Sequence, residues 1–342
     1  PMYSKGLCQE VDGRFLIQNP SSRYLEESEM DKIASYPYQR DLHPYHAKDG
    51  KVKALETIKF SIMTHHGCWG ECNYCAIAAH QGRTTRTRSE ENILSEAKHF
   101  TTLKDFKGII SDVGGPTANM YGYECKKKMN LGTCIDNKRC VDAHRLCRTM
   151  KVDHSRNIKL LKDIRAILKV KKAFIASGIR YDFIAADKNH GKEYLKEIID
   201  HHISGQMKIA PEHTSDEVLH HMGKPGKQSL IEFKKMFDDL NKTSGKKQFL
   251  TYYLIAAHPG CKESHMHELK QFTTHELKIN PEQAQVFTPT PGTYSAVMYY
   301  TELDPFTKKK IFVEKDTLRK ERQKEIVVAK KSFCKTKQNS TS

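Results

Sequence analysis

Cys68, Cys72 and Cys75 fall within eight residues, in the run Gly67-Cys68-Trp69-Gly70-Glu71-Cys72-Asn73-Tyr74-Cys75. Thiolates this close together can converge on one soft metal centre. A cubane iron–sulfur cluster has four irons and ordinarily takes four thiolates, so three local cysteines would leave one iron open. An open coordination position is what catalysis needs. Other chemistries use the same residues. Adding His65 or His66 would make a Cys3His zinc site, although structural zinc usually joins two separated ligand couples. A disulfide framework suits a long, lysine-rich chain without a secretory signal poorly. Three unconnected buried thiols are the remaining reading.

A second set, Cys125, Cys134, Cys140 and Cys147, lies in residues 119–157 with spacings of eight, five and six residues. That segment has few large apolar side chains and eight Lys or Arg between Lys126 and Lys151. It cannot bury a core of its own, and long loops in compact domains are usually functional or disordered. A metal would supply the missing folding energy. An auxiliary iron–sulfur cluster or zinc, a redox dithiol, and unrelated thiols all fit the spacing. Cys8, Cys261 and Cys334 are isolated and read as ordinary thiols.

These residues need elements to position them. Phe60-Ser61-Ile62-Met63-Thr64 reads as a buried strand leading into the cysteine loop. Thr87 and Glu90 have capping-box spacing before a helix with Ile93, Leu94, Ala97 and Phe100 on one face. Further strands are expected at 108–113, 173–176, 205–210, 249–256 and 284–287. Helices marked by Leu160, Tyr194, Phe233 and His265 separate them, with a short helix ending at Gly223. Strand and helix alternate about six times, which implies a parallel sheet with helices outside. Six units make an open, partial barrel, with chemistry at the C-terminal strand ends by analogy with full barrels. The cysteine loop follows the first strand and so belongs there.

The chain has 342 residues, 38% of them hydrophobic, and a formal net charge of +16. Residues 1–55 read as the remnant of an N-terminal region, 56–303 as the core, and 304–342 as a basic, partly disordered extension. That extension holds twelve Lys or Arg against five Asp or Glu, so it supplies +7. The charge favours polyanions such as RNA, but a charged tail is more often a solvated helix. No apolar run is long enough for a transmembrane helix, so no membrane partner is expected and the cytoplasm is the default location. Asp41-x-His43-x-x-His46 comes near a cobalamin-binding motif but lacks its glycine, and is rejected. His201-His202 and His220-His221 read as solvated pairs. His213 and His258, at strand ends, are candidates for acid–base or substrate contact.

The Cys-x3-Cys-x2-Cys loop with Tyr74 before its last cysteine, set in strand–helix alternation, resembles the radical S-adenosylmethionine (SAM) superfamily. The closer resemblance is to the YgiQ-type, or UPF0313, family. It is carried by Arg40-x-x-His43-Pro44, Cys75-Ala76-Ile77, His80-Gln81-Gly82-Arg83 and Arg86-x-Arg88-Ser89. Also matching are the stretches 112–122, 176–182 and Ala210-Pro211-Glu212-His213-Thr214. The resemblance implies an α/β fold, a partial (β/α)6 TIM-like barrel with a Cys-rich insertion and a basic C-terminal extension. It implies a [4Fe-4S] cluster on Cys68, Cys72 and Cys75, with SAM on the fourth iron. Reductive cleavage of SAM to a 5′-deoxyadenosyl radical and hydrogen abstraction from an unknown substrate would follow, with a flavodoxin- or ferredoxin-like electron donor. Gly114-Gly115 would receive the methionyl amino group, with Pro116 where many members carry Glu. Tyr74 would lie near adenine, Glu212 at the ribose hydroxyls and Arg180 at the SAM carboxylate. The resemblance implies no particular reaction. An RNA-modifying radical SAM enzyme is one alternative. A zinc-stabilised nucleic-acid-binding module is another, of a different class.

Overall fold

Short apolar stretches of the chain pair as parallel strands in sequential order. In a computed structural model, which describes residues 5–20, 22–131, 134, 140–141 and 146–328, Ser61–Met63 pairs with Asp112–Gly114. Ile109–Ile110 pairs with Lys172–Ala173. A single parallel bridge, Ile179 to Ile209, links the next pair. Gln206–Glu212 then pairs with Phe249–Ala256, and that strand with Gln285–Val286. Every pairing in this series is parallel, so each return passes through a crossover, and most crossovers carry a helix.

Helices cover one side of the strands. In Glu90–Phe100 the buried residues Ile93, Ala97 and Phe100 recur at helical spacing. The helix is capped by Ser89, whose hydroxyl accepts from the Asn92 N–H at 3.1 Å. The capping-box expectation at Thr87 is corrected: Thr87 pairs with His65 in a two-residue strand. Lys227–Thr243 buries Leu230, Phe233 and Phe237 in one cluster with Met207 and Ile209 of the strand before it. Each such side chain stabilises the packing by about 1.5–3 kcal/mol on full burial.

The expectation that His201-His202 is solvated holds for His201 alone. His202 is fully buried and its Nδ1 lies 2.6 Å from the Ala173 carbonyl. His221 is likewise largely covered while His220 is exposed. An antiparallel hairpin, Leu7–Val11 with Arg14–Gln18, precedes the helix Glu27–Ala34. Near the other end, Thr317–Val327 packs on Glu263–His275 and buries Val327 with Met266 and Leu269. Cys334 and the tail from 329 lie outside the described residues. No described helix is long and apolar enough to cross a membrane.

Candidate active site at the cysteine loop

The cysteine loop leaves the first strand through a constrained turn. Gly67 has φ +82°, and a Cβ there would stand 2.2 Å from the Thr84 carbonyl oxygen. Only glycine serves at such a position. The Cys68 N–H then donates to the Gly82 carbonyl at 3.1 Å. At its far end Asn73 anchors the loop: its N–H donates to the Met222 carbonyl at 2.8 Å and its Nδ2 to the His221 carbonyl at 2.7 Å. Its own carbonyl accepts from the Ser295 N–H at 2.9 Å. The loop is thereby tied to the helix Asp216–Met222 and to the start of Tyr294–Thr301.

All three cysteines are half-buried and free. A cavity of about 180 Å³ borders Cys72 and Cys75, with Glu71, Asn73, Arg83 and Tyr294 among its walls. Cys68 Sγ accepts from the Gly70 N–H at 3.3 Å and lies 3.5 Å from the Thr117 hydroxyl. Arg180 Nη1 donates to Cys72 Sγ at 3.4 Å. Gly70 makes room for this: a Cβ there would sit 2.8 Å from Arg180 Nη1. Burial pushes the Cys68 thiol up, opposed by the Thr117 hydroxyl, the Gly70 N–H and Arg180. Burial likewise pushes Cys75 up to about 11.

The sequence-derived residues converge unevenly. Tyr74 donates its hydroxyl to Glu212 Oε1 at 2.9 Å, joining the loop to the end of the Gln206–Glu212 strand. Glu212 is buried at φ +68°, an uncommon backbone for a non-glycine residue. Burial raises its carboxyl, with Lys224 the strongest opposing influence. Arg180 is engaged within the chain. Its Nε and Nη2 form a two-point ion pair with Asp182, at 2.8 and 2.6 Å, and Nη1 faces Cys72. Gly114 and Gly115 are engaged within the chain as well. The Gly114 carbonyl already accepts from the Thr64 N–H and hydroxyl, at 2.7 and 3.1 Å. A Cβ on Gly115 would meet the His65 ring and carbonyl at 2.7–2.8 Å. The chain's own packing therefore requires glycine at 115.

His213 and His258 are core residues. His258 Nδ1 lies 2.8 Å from the Pro259 carbonyl and Nε2 2.7 Å from the Ser295 hydroxyl. His213 Nδ1 accepts from the Ser215 N–H at 2.9 Å, with Nε2 3.7 Å from Cys261 Sγ. Burial pushes each imidazole down to about 3.

Sequence reasoning missed Lys224. It follows the left-handed cap residue Gly223, two residues after the Met222 carbonyl that holds Asn73. Lys224 is 2% exposed, and its ammonium has no hydrogen bond or ion pair among the described residues. It is near enough to Cys75 and Glu212 to draw both downward. Gly223 marked the helix end in the sequence, but nothing there marked the burial of the next residue. Arg180 sits in a second missed network: Asn119 bridges its N–H and carbonyl and reaches His154 Nε2 at 3.2 Å. His154 in turn bonds Tyr123 and Asp187.

The donor spacing bears on which metal group fits. A tetrahedral zinc with Zn–S of about 2.3 Å needs its sulfurs about 3.8 Å apart. Among the described residues, no three Cys, His, Asp or Glu donor atoms of this loop lie within 4.8 Å of one another. His65 packs under Gly115, with its Nδ1 2.9 Å from the Thr64 hydroxyl. The loop fits a multi-iron cluster, whose corners each take one thiolate, better than one ion.

Comparison with known proteins places these observations in a family context. Residues 62–273 match the family model described as Radical SAM superfamily, and residues 1–61 the one described as Radical SAM N-terminal. The chain is 58% identical over 331 residues to UPF0313 protein FN0734 of Fusobacterium nucleatum, covering 97% of this chain and 58% of that protein. It is 42% identical over 327 residues to a UPF0313 protein of Clostridium perfringens, covering 96% and 49%. The chain thus spans about half the length of the curated relatives it matches. Among solved structures the likeness is looser. The radical S-adenosylmethionine methyltransferase TsrM from Kitasatospora setae aligns with 86% of this chain and 45% of that one, at 11% identity and a TM-score of 0.48.

Proposed function

The chain belongs to the radical SAM superfamily, and from that premise we propose that Cys68, Cys72 and Cys75 hold three irons of a [4Fe-4S] cluster while SAM binds the fourth. When bound, the two together supply a 5′-deoxyadenosyl radical for hydrogen abstraction from a substrate. The observation that carries this reading is the meeting of the cysteine loop with Tyr74–Glu212 and with Lys224, two residues beyond the Met222 carbonyl that holds Asn73. The sequential parallel series is read here as the partial (β/α)6 barrel of that superfamily.

The chain's own residues divide the work of binding. Lys224, rather than Arg180, neutralises the SAM carboxylate. Arg180 holds its positive charge against Cys72 and is itself held by Asp182. Glu212 accepts from ribose hydroxyls, its backbone set by the strand end and its carboxyl already oriented by Tyr74. Tyr74 borders the adenine. Gly114 and Gly115 keep the neighbouring strand end free of side chains. Electrons come from a flavodoxin- or ferredoxin-like donor in a reducing compartment such as the cytoplasm, which keeps the thiols available.

Metal analysis tests the reading. Anaerobically reconstituted chain carrying Cys72→Ala should hold about four fewer irons and four fewer sulfides than wild type. Its far-UV circular dichroism should be unchanged. Equal iron content in the two proteins would refute the assignment.

A further inference from the structure

The insertion brings three of its four cysteines together. Val141 and Leu146 form an antiparallel bridge, and the Cys147 N–H donates to the Cys140 carbonyl at 2.7 Å. Cys140 and Cys147 therefore face each other across the hairpin. Thr149 places its hydroxyl 3.1 Å from Cys147 Sγ and 3.7 Å from Cys125 Sγ. Cys125, Cys140 and Cys147 share one buried cluster with Trp69, Met120, Phe183 and Cys68. Cys134, half-buried, lies in the same insertion.

The charge around them is unusual for a hydrophobic cluster. Lys128, 3% exposed, donates to Glu71 Oε1 at 3.0 Å and to the Arg83 carbonyl at 2.9 Å, and stands 5.0 Å over the Trp69 ring. Its ammonium also meets the Cys140 side chain. Arg83 pairs with the other oxygen of Glu71. Among the described residues, these two cations and one carboxylate place a net positive charge beside Cys140. An anionic thiolate-ligated centre would balance it. A single zinc ion is the poorer occupant, because no three of these thiols lie within 4.8 Å of one another.

We propose that Cys125, Cys134, Cys140 and Cys147 ligate a second, auxiliary iron–sulfur cluster, docked against Trp69 beside the Cys68 loop and charge-matched by Lys128. Four thiolates would fill every corner of a [4Fe-4S] cube, so this cluster has no open iron and does not bind SAM. The proposal stands independently of the assignment at Cys68, Cys72 and Cys75.

The test uses the full chain with Cys68→Ala, Cys72→Ala and Cys75→Ala combined, reconstituted anaerobically with iron and sulfide. It should retain about four iron and four sulfide per chain, and adding Cys140→Ala with Cys147→Ala should abolish both. A triple variant with wild-type circular dichroism and no iron, or one that takes up zinc in place of iron, overturns the proposal. So does iron that survives loss of Cys140 and Cys147. Electron paramagnetic resonance of reduced wild type provides a readout that needs no variant. Two cluster signals should appear, only one of them shifted by added SAM; a single signal contradicts the proposal.

Discussion

At the residue scale, Lys224 separates stability from binding. Its ammonium makes no hydrogen bond or ion pair among the described residues, so the ligand-free chain draws little stability from that charge. Lys224→Met should leave stability to chemical denaturation unchanged or higher. It should also weaken SAM binding about 30-fold, the ~2 kcal/mol lost when one member of a buried charge pair is removed. Equilibrium binding to the reconstituted chain measures this, and unaltered affinity would remove Lys224 from the site. Gly115→Val makes the opposite case. Its Cβ would enter the space of the His65 ring and carbonyl, so it should cost about 1–3 kcal/mol of stability through overpacking. Thermal unfolding would register that loss before any effect on ligand could be isolated. The sequence marked Gly115 as a special position; the reason, a histidine three residues before Cys68, lay beyond it.

At the element scale, the parallel strands were legible because their apolar runs are short and bounded by Gly or Pro. Phe249–Ala256 emerges with the boundaries its sequence suggests. Lys172–Ala173 is shorter than expected, since the Ile175 N–H donates to the His202 carbonyl and the Ala176 N–H to the Asp112 side chain instead of extending the ladder. The Glu27–Ala34 helix escaped notice because it buries only Met30. Tyr74 and Glu212 could be placed at two strand ends, but not Arg180's pairing with Asp182, because a side chain's choice among nearby partners is set in three dimensions. Asn73 shows how elements hold the loop. Asn73→Ala removes the Nδ2 bond and leaves the His221 carbonyl without it. A cost of about 1–3 kcal/mol is expected, and it should appear as faster iron loss to a chelator, with slower or equal loss contradicting the anchoring role.

At the scale of the whole molecule, buried neutral histidines set the acid limit. His213 and His258 titrate at about 3 in the folded chain, because burial disfavours their charged forms. The unfolded chain takes up those protons near pH 6.5. Folded pKa values below unfolded ones give full stability above pH 6.5, lost progressively as the pH falls toward 3. Well within that window each histidine contributes a slope of about 1.4 kcal/mol per pH unit. Denaturant titrations at pH 7.5 and 5.5 should show the decline, and replacing His258 with Gln should flatten it. An equal slope in that variant would contradict the assignment. The fold class was readable in strand–helix alternation. The pairing of the Cys-rich insertion with Trp69 was not, because its contacts join segments more than fifty residues apart.

The central claim is that the Cys68 loop supports reductive cleavage of SAM. Its most direct measurement is 5′-deoxyadenosine formed from SAM by the anaerobically reconstituted, dithionite-reduced chain, quantified by mass spectrometry. The account predicts 5′-deoxyadenosine and methionine in equal amounts from wild type, and neither from Cys72→Ala. Reconstituted wild type that binds its iron and yields no 5′-deoxyadenosine, or a Cys72→Ala chain that yields as much, would contradict it.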